Sequence, residues 1–338
     1  MNSVVRIDSR GLQLARVARV LCQARGSWAE AAQIANAQGL SIARDVCKTV
    51  VAAATLDDLV GPQQVVGSDF IEGVRARSAV GRLALRRVPL MTAVITNTSA
   101  AIAHWVGERM IIPATSLDLA GQRLDLLKIA AILPLTDETV KSADPAADEF
   151  LRRLLIDAAA RRIDESFLNP SNSGVVDVSP PSVTFGAPSI PSAGVAKADV
   201  RARLSLYQGD YDTAAFVTDP QTSFDLSIAL DDENFGARGG DFHGIPIFTT
   251  RGSPVDTTGG QVALLDAARI VFADGSATVD RSDAATIELD DSPIGGASAV
   301  LVSAWQAGLH LLRLVQYTNW RVVGDGAVAV LTNVSYDD

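Results

Sequence analysis

Few residues in this chain have the chemistry of catalysts or metal ligands, and none is spaced for that work. The sequence holds three histidines, His104, His243 and His310, and two cysteines, Cys22 and Cys47. No histidine falls in H-x-x-H or H-E-x-x-H spacing, which would put two imidazoles around one zinc ion. The cysteines lack metal-ligand spacing and partner histidines, so they read as small buried hydrophobes. His104, beside Trp105, reads as a packed residue instead of a general base. A Ser-His-Asp set assembled from distant residues has no local signature and stays open. The phosphate-cradling G-x-x-x-x-G-K-[ST], the dinucleotide G-x-G-x-x-G and the nucleophile elbow G-x-S-x-G are all absent. The glycine-rich run 235–240 reads as a flexible loop. Asp231-Asp232-Glu233 and Asp290-Asp291 carry oxygen ligands for a hard cation but lack the spacing of a binding loop, and read as solvated turns. No cofactor is implied.

Bulk properties narrow the class. At 338 residues with 48% hydrophobic and 20% charged residues, the chain is too apolar for disorder and long enough for one to three domains. No apolar run reaches the roughly 18 residues of a membrane span. The best candidate, Leu124–Leu135, is broken by Asp125 and Lys128, and Arg6, Arg10, Arg16 and Arg19 interrupt any signal-peptide core. The chain therefore reads as soluble and cytoplasmic, with no membrane partner. Its net charge of −10 is uneven: residues 1–88 hold 12 basic and 7 acidic residues (+5), residues 89–338 hold 17 and 32 (−15). The first part can approach anionic partners and the remainder repels them.

The elements follow from periodicity. Residues 10–25 place Leu14, Val17, Ala18 and Leu21 on one helical stripe. Ser27 with Glu30 forms a capping box for a second helix that Gly39 stops, and a third helix covers Ile42–Ala54. Residues 68–88 carry Arg75, Arg77, Arg82, Arg86 and Arg87, and spacing leaves helix and extended arm both open. Leu117 and Leu119, then Leu124 and Leu126, alternate with polar residues on either side of Ala120-Gly121-Gln122, which predicts a β-hairpin turning there. An apolar alternating strand follows. Residues 145–167 form the clearest helix, with Asp144 as cap and Pro145 in the first turn. Its apolar stripe is Leu151, Leu155, Ala159, Ile163 and Phe167, widened by Leu154 and Ala158. Residues 169–194 are a Pro/Ser/Gly-rich connection, and a helix near Lys197–Tyr207 follows. Ala214–Thr218 is a buried strand ending in Asp219-Pro220.

Five landmarks in this order resemble the major capsid proteins of tailed bacteriophages, the Hong Kong 97-type fold. They are the Trp105-Val106-Gly107-Glu108 lead-in, the excursion after it, the long helix, the strand ending in Asp219-Pro220, and Gly244-Ile245-Pro246-Ile247. The resemblance covers roughly residues 65–338. It implies an α+β, HK97-like capsid fold with an N-terminal arm, an extended β-hairpin loop, a long spine helix in a peripheral subdomain, and a mixed α/β axial subdomain. The implied division is a helical N-terminal region 1–66, an arm and lead-in 67–106, an extended loop 107–127, a peripheral subdomain 128–193 with 298–338, and an axial subdomain 194–297. Leu264–Asp266, Ile270–Phe272 and Ala277–Asp280 would close the axial subdomain, and Trp305–Val334 would rejoin the spine helix.

The function implied is structural and not enzymatic. Copies of the chain form hexamers and pentamers of an icosahedral virion shell, assembled in the host cytoplasm, around non-specifically bound double-stranded DNA. Portal, scaffold, protease and decoration proteins are the further partners implied. The extended loop would touch a neighbouring subunit through Arg109, Leu117, Leu119, Arg123 and Leu124. The basic region, with Arg10, Arg16, Arg19, Arg75 and Arg77, would face inward. Some relatives cross-link a loop lysine to an asparagine; here the loop 107–125 has no lysine, so that route is closed. A chain beginning at Met1 argues against removal of a leading segment, and residues 1–60 are short for a scaffold domain. Two rival readings are an encapsulin-type nanocompartment of the same fold and a soluble α/β enzyme.

Overall fold

The computed structural model describes residues 11–52, 68–97, 119–136, 145–282, 285–288, 301–324 and 326–336. The chain divides into two compact units, one of Met1–Arg77, Ile129–Ala160 and Ser276–Tyr317, the other of Ser78–Lys128, Arg161–Gly275 and Thr318–Asp338. Among the described residues, no helix is long and apolar enough to cross a membrane.

In the first unit, α1 (Leu12–Gln23), α2 (Trp28–Ala37) and α3 (Ser41–Ala52) follow one another through short connections. Ser27 caps α2 as its sequence predicts, its Oγ accepting from the Glu30 amide at 3.4 Å. Gly39 ends it at φ 71°, a left-handed position where a side chain would strain the backbone, so that the Leu40 amide can reach back to the Ala35 carbonyl at 2.9 Å. A fourth helix, α4 (68–77), resolves the open question in the arginine-rich segment. The start of α1 is tied to it: the Gly11 amide donates to Asp69 Oδ2 at 2.8 Å.

The long helix α6 (Pro145–Leu168) appears where its periodicity places it. Its buried row is Leu151, Leu155, Ala159, Ile163 and Phe167, but the row widens to the other side from the one expected. Ile156, Ala160 and Asp164 are buried, whereas Leu154 is 38% exposed and Ala158 faces solvent. Hydrophobicity alone mispositions the edge of the stripe because Asp164, a carboxylate, lies on the inner side. Before α6 lies β4 (Lys128–Thr136), whose burial alternates as a strand with one covered face should.

In the second unit, an eight-stranded sheet runs in the order β5-β16-β11-β6-β9-β8-β7, with β10 beside β11. These strands are β5 (Ser189–Pro191), β6 (Ala214–Thr218), β7 (Phe235–Gly236), β8 (Gly239–Phe242), β9 (Ile245–Thr249), β10 (Val255–Asp256), β11 (Gly259–Asp266) and β16 (Val328–Val334). Every residue of β6 is buried, which explains its unbroken apolar run. Helices α7 (Ala196–Leu206) and α8 (Pro220–Leu230) supply Val200 and Leu226 to a core with Phe216, Leu264 and Leu331. The Asp219-Pro220 landmark is the N-terminus of α8: the carboxylate accepts from the amides of Gln221 and Thr222 at 2.8 and 2.9 Å, and proline needs no partner in the first turn.

Some expectations need correction. Ala120-Gly121-Gln122 is not a turn. It lies inside β3 (Leu119–Arg123), antiparallel to β2 (Ala93–Asn97), with Gly121 opposite Ile95. The β-branched run of β2 offers a better partner than the residues just before β3, and it lies too far back for local alternation to reveal it. The C-terminal strand β16 pairs with β11, where its buried Val328–Leu331 are covered on both faces. Finally, Ile270–Phe272 and Ala277–Asp280 belong to one strand, β12 (Ile270–Ser282). It lies in a separate four-stranded sheet ordered β1-β12-β15-β4, where β1 is Arg86–Arg87 and β15 is Leu309–Val322. The glycine-rich run 235–240 also differs from expectation, forming the β7–β8 hairpin.

Candidate assembly surfaces

Among the described residues, the side chains with metal-ligand chemistry do not cluster. No group of His, Cys, Asp and Glu there can hold a metal ion. Both cysteines are buried, and burial pushes the Cys47 thiol up to about 11, which leaves it protonated and unreactive. His243 lies edge-on against Phe242, with ring centroids 4.6 Å apart. The Asp231–Glu233 turn is solvated, and Asp232 Oδ1 accepts from the Asn234 backbone and side-chain nitrogens at 3.0 and 2.8 Å. His104 and Asp290-Asp291 lie outside the described residues.

Two isolated strand pairs occur among the described residues: β13 (Thr286–Glu288) with β14 (Leu301–Ser303), and the β2–β3 ribbon, which bears the predicted loop. In the ribbon, β2 and β3 are adjacent. Its strands pair only with each other among the described residues, so each retains an unpaired edge. A two-stranded ribbon is marginal in water without a covering partner. Its root, by contrast, is fixed. Val94 and Leu124 pack on Val271 and Ala273, and the Leu124 amide and carbonyl bond to Thr92 and Met91. Asn319 Nδ2 donates to the Asp125 carbonyl at 2.8 Å and the Thr318 amide to the Leu127 carbonyl at 3.0 Å. The ribbon thus starts from a rigid base and carries residues 98–118 between its strands.

This geometry sorts the predicted loop residues. Leu124 is 1% exposed and belongs to the core of its own chain, so its side chain is unavailable to a neighbour. Alternation could not distinguish that, since the root and the free part of the ribbon share one pattern. Arg123 is exposed, and Leu119 lies on β3. Arg109 and Leu117 lie outside the described residues.

The predicted basic region is not a single exposed patch. Arg19 is 4% exposed and donates to Gln38 Oε1 at 3.3 Å, inside the helical block. Arg16 and Arg75 are half-buried, and Arg77 is exposed and paired with Asp157 at 2.7 Å. Arg10 lies outside the described residues. Farther along, Arg82 reaches the Thr249 carbonyl at 2.6 Å and Arg87 reaches Asp274 at 3.0 Å, so both hold the chain to its own unit.

A second anchor was invisible in the sequence. Asp164, 2% exposed on α6, accepts hydrogen bonds from the hydroxyls of Ser78 and Thr250, the latter at 2.5 Å. The amides of Ala79 and Val80 also donate to it, at 2.9 and 3.2 Å. One carboxylate thereby secures the start of α5 (Ala79–Arg82), the end of α6 and the loop after β9. Gly252 makes that approach possible: a Cβ there would lie 2.6 Å from Asp164 Cβ and 2.8 Å from the Glu165 nitrogen. Gly252→Ala is expected to destabilise the subunit by about 1–3 kcal/mol through overpacking, read as a lower urea midpoint.

The β2–β3 ribbon stands on a braced base, and comparison with known proteins decides what kind of molecule this is. The model of the phage capsid family matches residues 59–333. The chain belongs to the phage capsid family. It is 32% identical over 365 residues to a capsid polyprotein of Pseudomonas phage PAJU2, covering 96% of this chain and 54% of that one. This capsid-family chain therefore spans about half the length of the curated relative it matches. Among solved structures it superimposes on a chain from Gordonia phage Cozz with a TM-score of 0.52 at 16% identity, covering 75% of this chain and 86% of the other. A chain from Microbacterium phage Oxtober96 gives 0.52 at 17% identity, covering 76% and 91%. At such low identity these matches establish the fold: a mixed α+β capsid architecture of the HK97 type. Family members are structural proteins that assemble with copies of themselves in a shell.

Proposed function

We propose that this capsid-family chain is the major capsid protein of a tailed phage, tiling as hexamers and pentamers into an icosahedral shell around double-stranded DNA. The carrying observation is the family match over residues 59–333, joined to a ribbon whose edges find no partner within the described residues. The extended loop is the excursion 107–127 borne on the β2–β3 ribbon, with Arg109, Leu117, Leu119 and Arg123 available to a neighbouring subunit. Specific interfaces bury on the order of 1,600 Å². A ribbon lying across the next subunit adds to that area at each repeat, and many weak contacts then act together.

The helical region 1–66 and the arm 67–106, with Arg10, Arg16 and Arg75, face the shell interior in this reading, and Arg77 is instead held by Asp157. The +5 charge of residues 1–88 against −15 for the rest supports it, because only the basic part attracts a polyanion. Portal, scaffold, protease and decoration proteins complete the assembly. The identity to a phage capsid polyprotein favours a genome container over an enzyme-filled nanocompartment. Particles purified from phage-producing cells and treated with nuclease should yield protected double-stranded DNA. Shells that hold a protein cargo and no nucleic acid would overturn the proposal.

A further inference from the structure

Between α4 and α6, within the first unit, runs an open groove of about 510 Å³. Its floor is Gly73, Ala76 and Ile156, small or apolar, and its walls carry Arg77, Arg152, Arg153 and Asp157. The guanidiniums are held in place by carboxylates: Arg77 by Asp157 at 2.7 Å, and Arg152 and Arg153 by Glu149 at 2.7 and 3.3 Å. Arg77 and Arg153 nonetheless remain 64% and 71% exposed at the side chain, so part of each donor fork faces the groove or solvent. Three arginines against two carboxylates make this a preorganised, mildly basic cleft.

The second unit carries a complementary feature. Helix α8 has no basic residue in its last turn, and Asp231, Asp232 and Glu233 follow directly at its C-terminal end. Carboxylates there oppose the helix dipole and one another, an arrangement that cations from outside would relieve. Asp231 is locked at φ 56° and Asp232 ties back to Asn234, so the turn is already shaped, and Asp231 and Glu233 are exposed.

We infer that the Arg77/Arg153 groove of one copy receives the Asp231–Glu233 turn of a second copy as an inter-subunit charge contact. This rests on the self-assembly reading above. Asp157 and Glu149 alternate with the arginines, a mixed lining that suits a short turn bearing both carboxylates and amides and repels a continuous phosphate backbone. Salt screening over about 10 Å at 0.1 M makes the contact sensitive to ionic strength.

The test is a charge swap in the full chain. Arg77→Glu/Arg153→Glu should lower particle yield at low salt by about tenfold or more while circular dichroism stays unchanged, and Asp231→Lys/Glu233→Arg should do the same. The second pair complements the α8 dipole, and thermal unfolding beside the parent separates loss of the contact from strain at the left-handed position 231. Combining all four substitutions should restore assembly to near the parent level. Normal assembly of either reversed pair, or no rescue in the combination, overturns the contact while leaving self-assembly intact. Reversed-groove shells that form normally but lose DNA would reassign the groove to nucleic acid and also overturn it. A parent chain that never assembles would defeat both readings.

Discussion

Asp164→Ala should lower the stability of the unassembled subunit by on the order of 3 kcal/mol, because it orphans buried donors and replaces them with nothing. Ser78 and Thr250 would lose a shared acceptor, and the amides of Ala79 and Val80 would face a cavity. Urea unfolding of the purified subunit measures the loss. A variant within about 0.5 kcal/mol of the parent, as for an ordinary surface substitution, would show that the network does not secure α5 to the spine helix. The same carboxylate gives a signed pH effect. Burial pushes its pKa above the usual aspartate value, against the pull of Ser78, Thr250 and the two amides. The folded state therefore holds this proton more tightly than the unfolded chain does. Stability from this group is fully present below the unfolded value of about 4 and is lost as pH rises through the folded value. The parent-minus-Asp164→Asn difference in unfolding midpoint should accordingly fall with rising pH across that window, whereas a difference independent of pH would refute the assignment.

Leu117→Asp/Leu119→Asp should abolish shell formation and leave the subunit folded. The ribbon root is held by Val94, Leu124, Val271 and Ala273, none of which the double substitution touches. Carboxylates placed on the excursion would instead be buried, unpaired, against a neighbouring subunit, at a cost of several kcal/mol per contact repeated at every interface. Leu124→Asp serves as the contrasting control: it places a charge in a 1%-exposed core position and should destabilise the subunit itself. Sedimentation and thermal unfolding together distinguish the outcomes. Normal particles from the Leu117/Leu119 variant would remove the ribbon from the assembly account.

What could be read from the sequence was local. Ser27, Glu30 and Gly39 bound α2 through contacts a few residues apart, Asp219-Pro220 opens α8 by capping chemistry, and the length of α6 follows from its fourfold recurrence of apolar residues. What could not be read was pairing at a distance. Strand β3 joins a partner some 26 positions earlier, and alternation around Gly121 carried no trace of that choice. Nothing local marks Asp164 as buried, since its hydroxyl donors come from 86 positions away on both sides. Leu124 matched the pattern of an exposed ribbon, but packing against β12 withdraws it into the core. The Arg77–Asp157 pair, 80 positions apart, is of the same kind, so the groove it borders had no signature in the chain.

The most direct measurement is sedimentation velocity of the purified chain across protein and salt concentrations, with negative-stain images of the fastest fraction. Closed, uniform shells in the megadalton range are the expected result. A single small species under every condition, with no shell in any image, would contradict it.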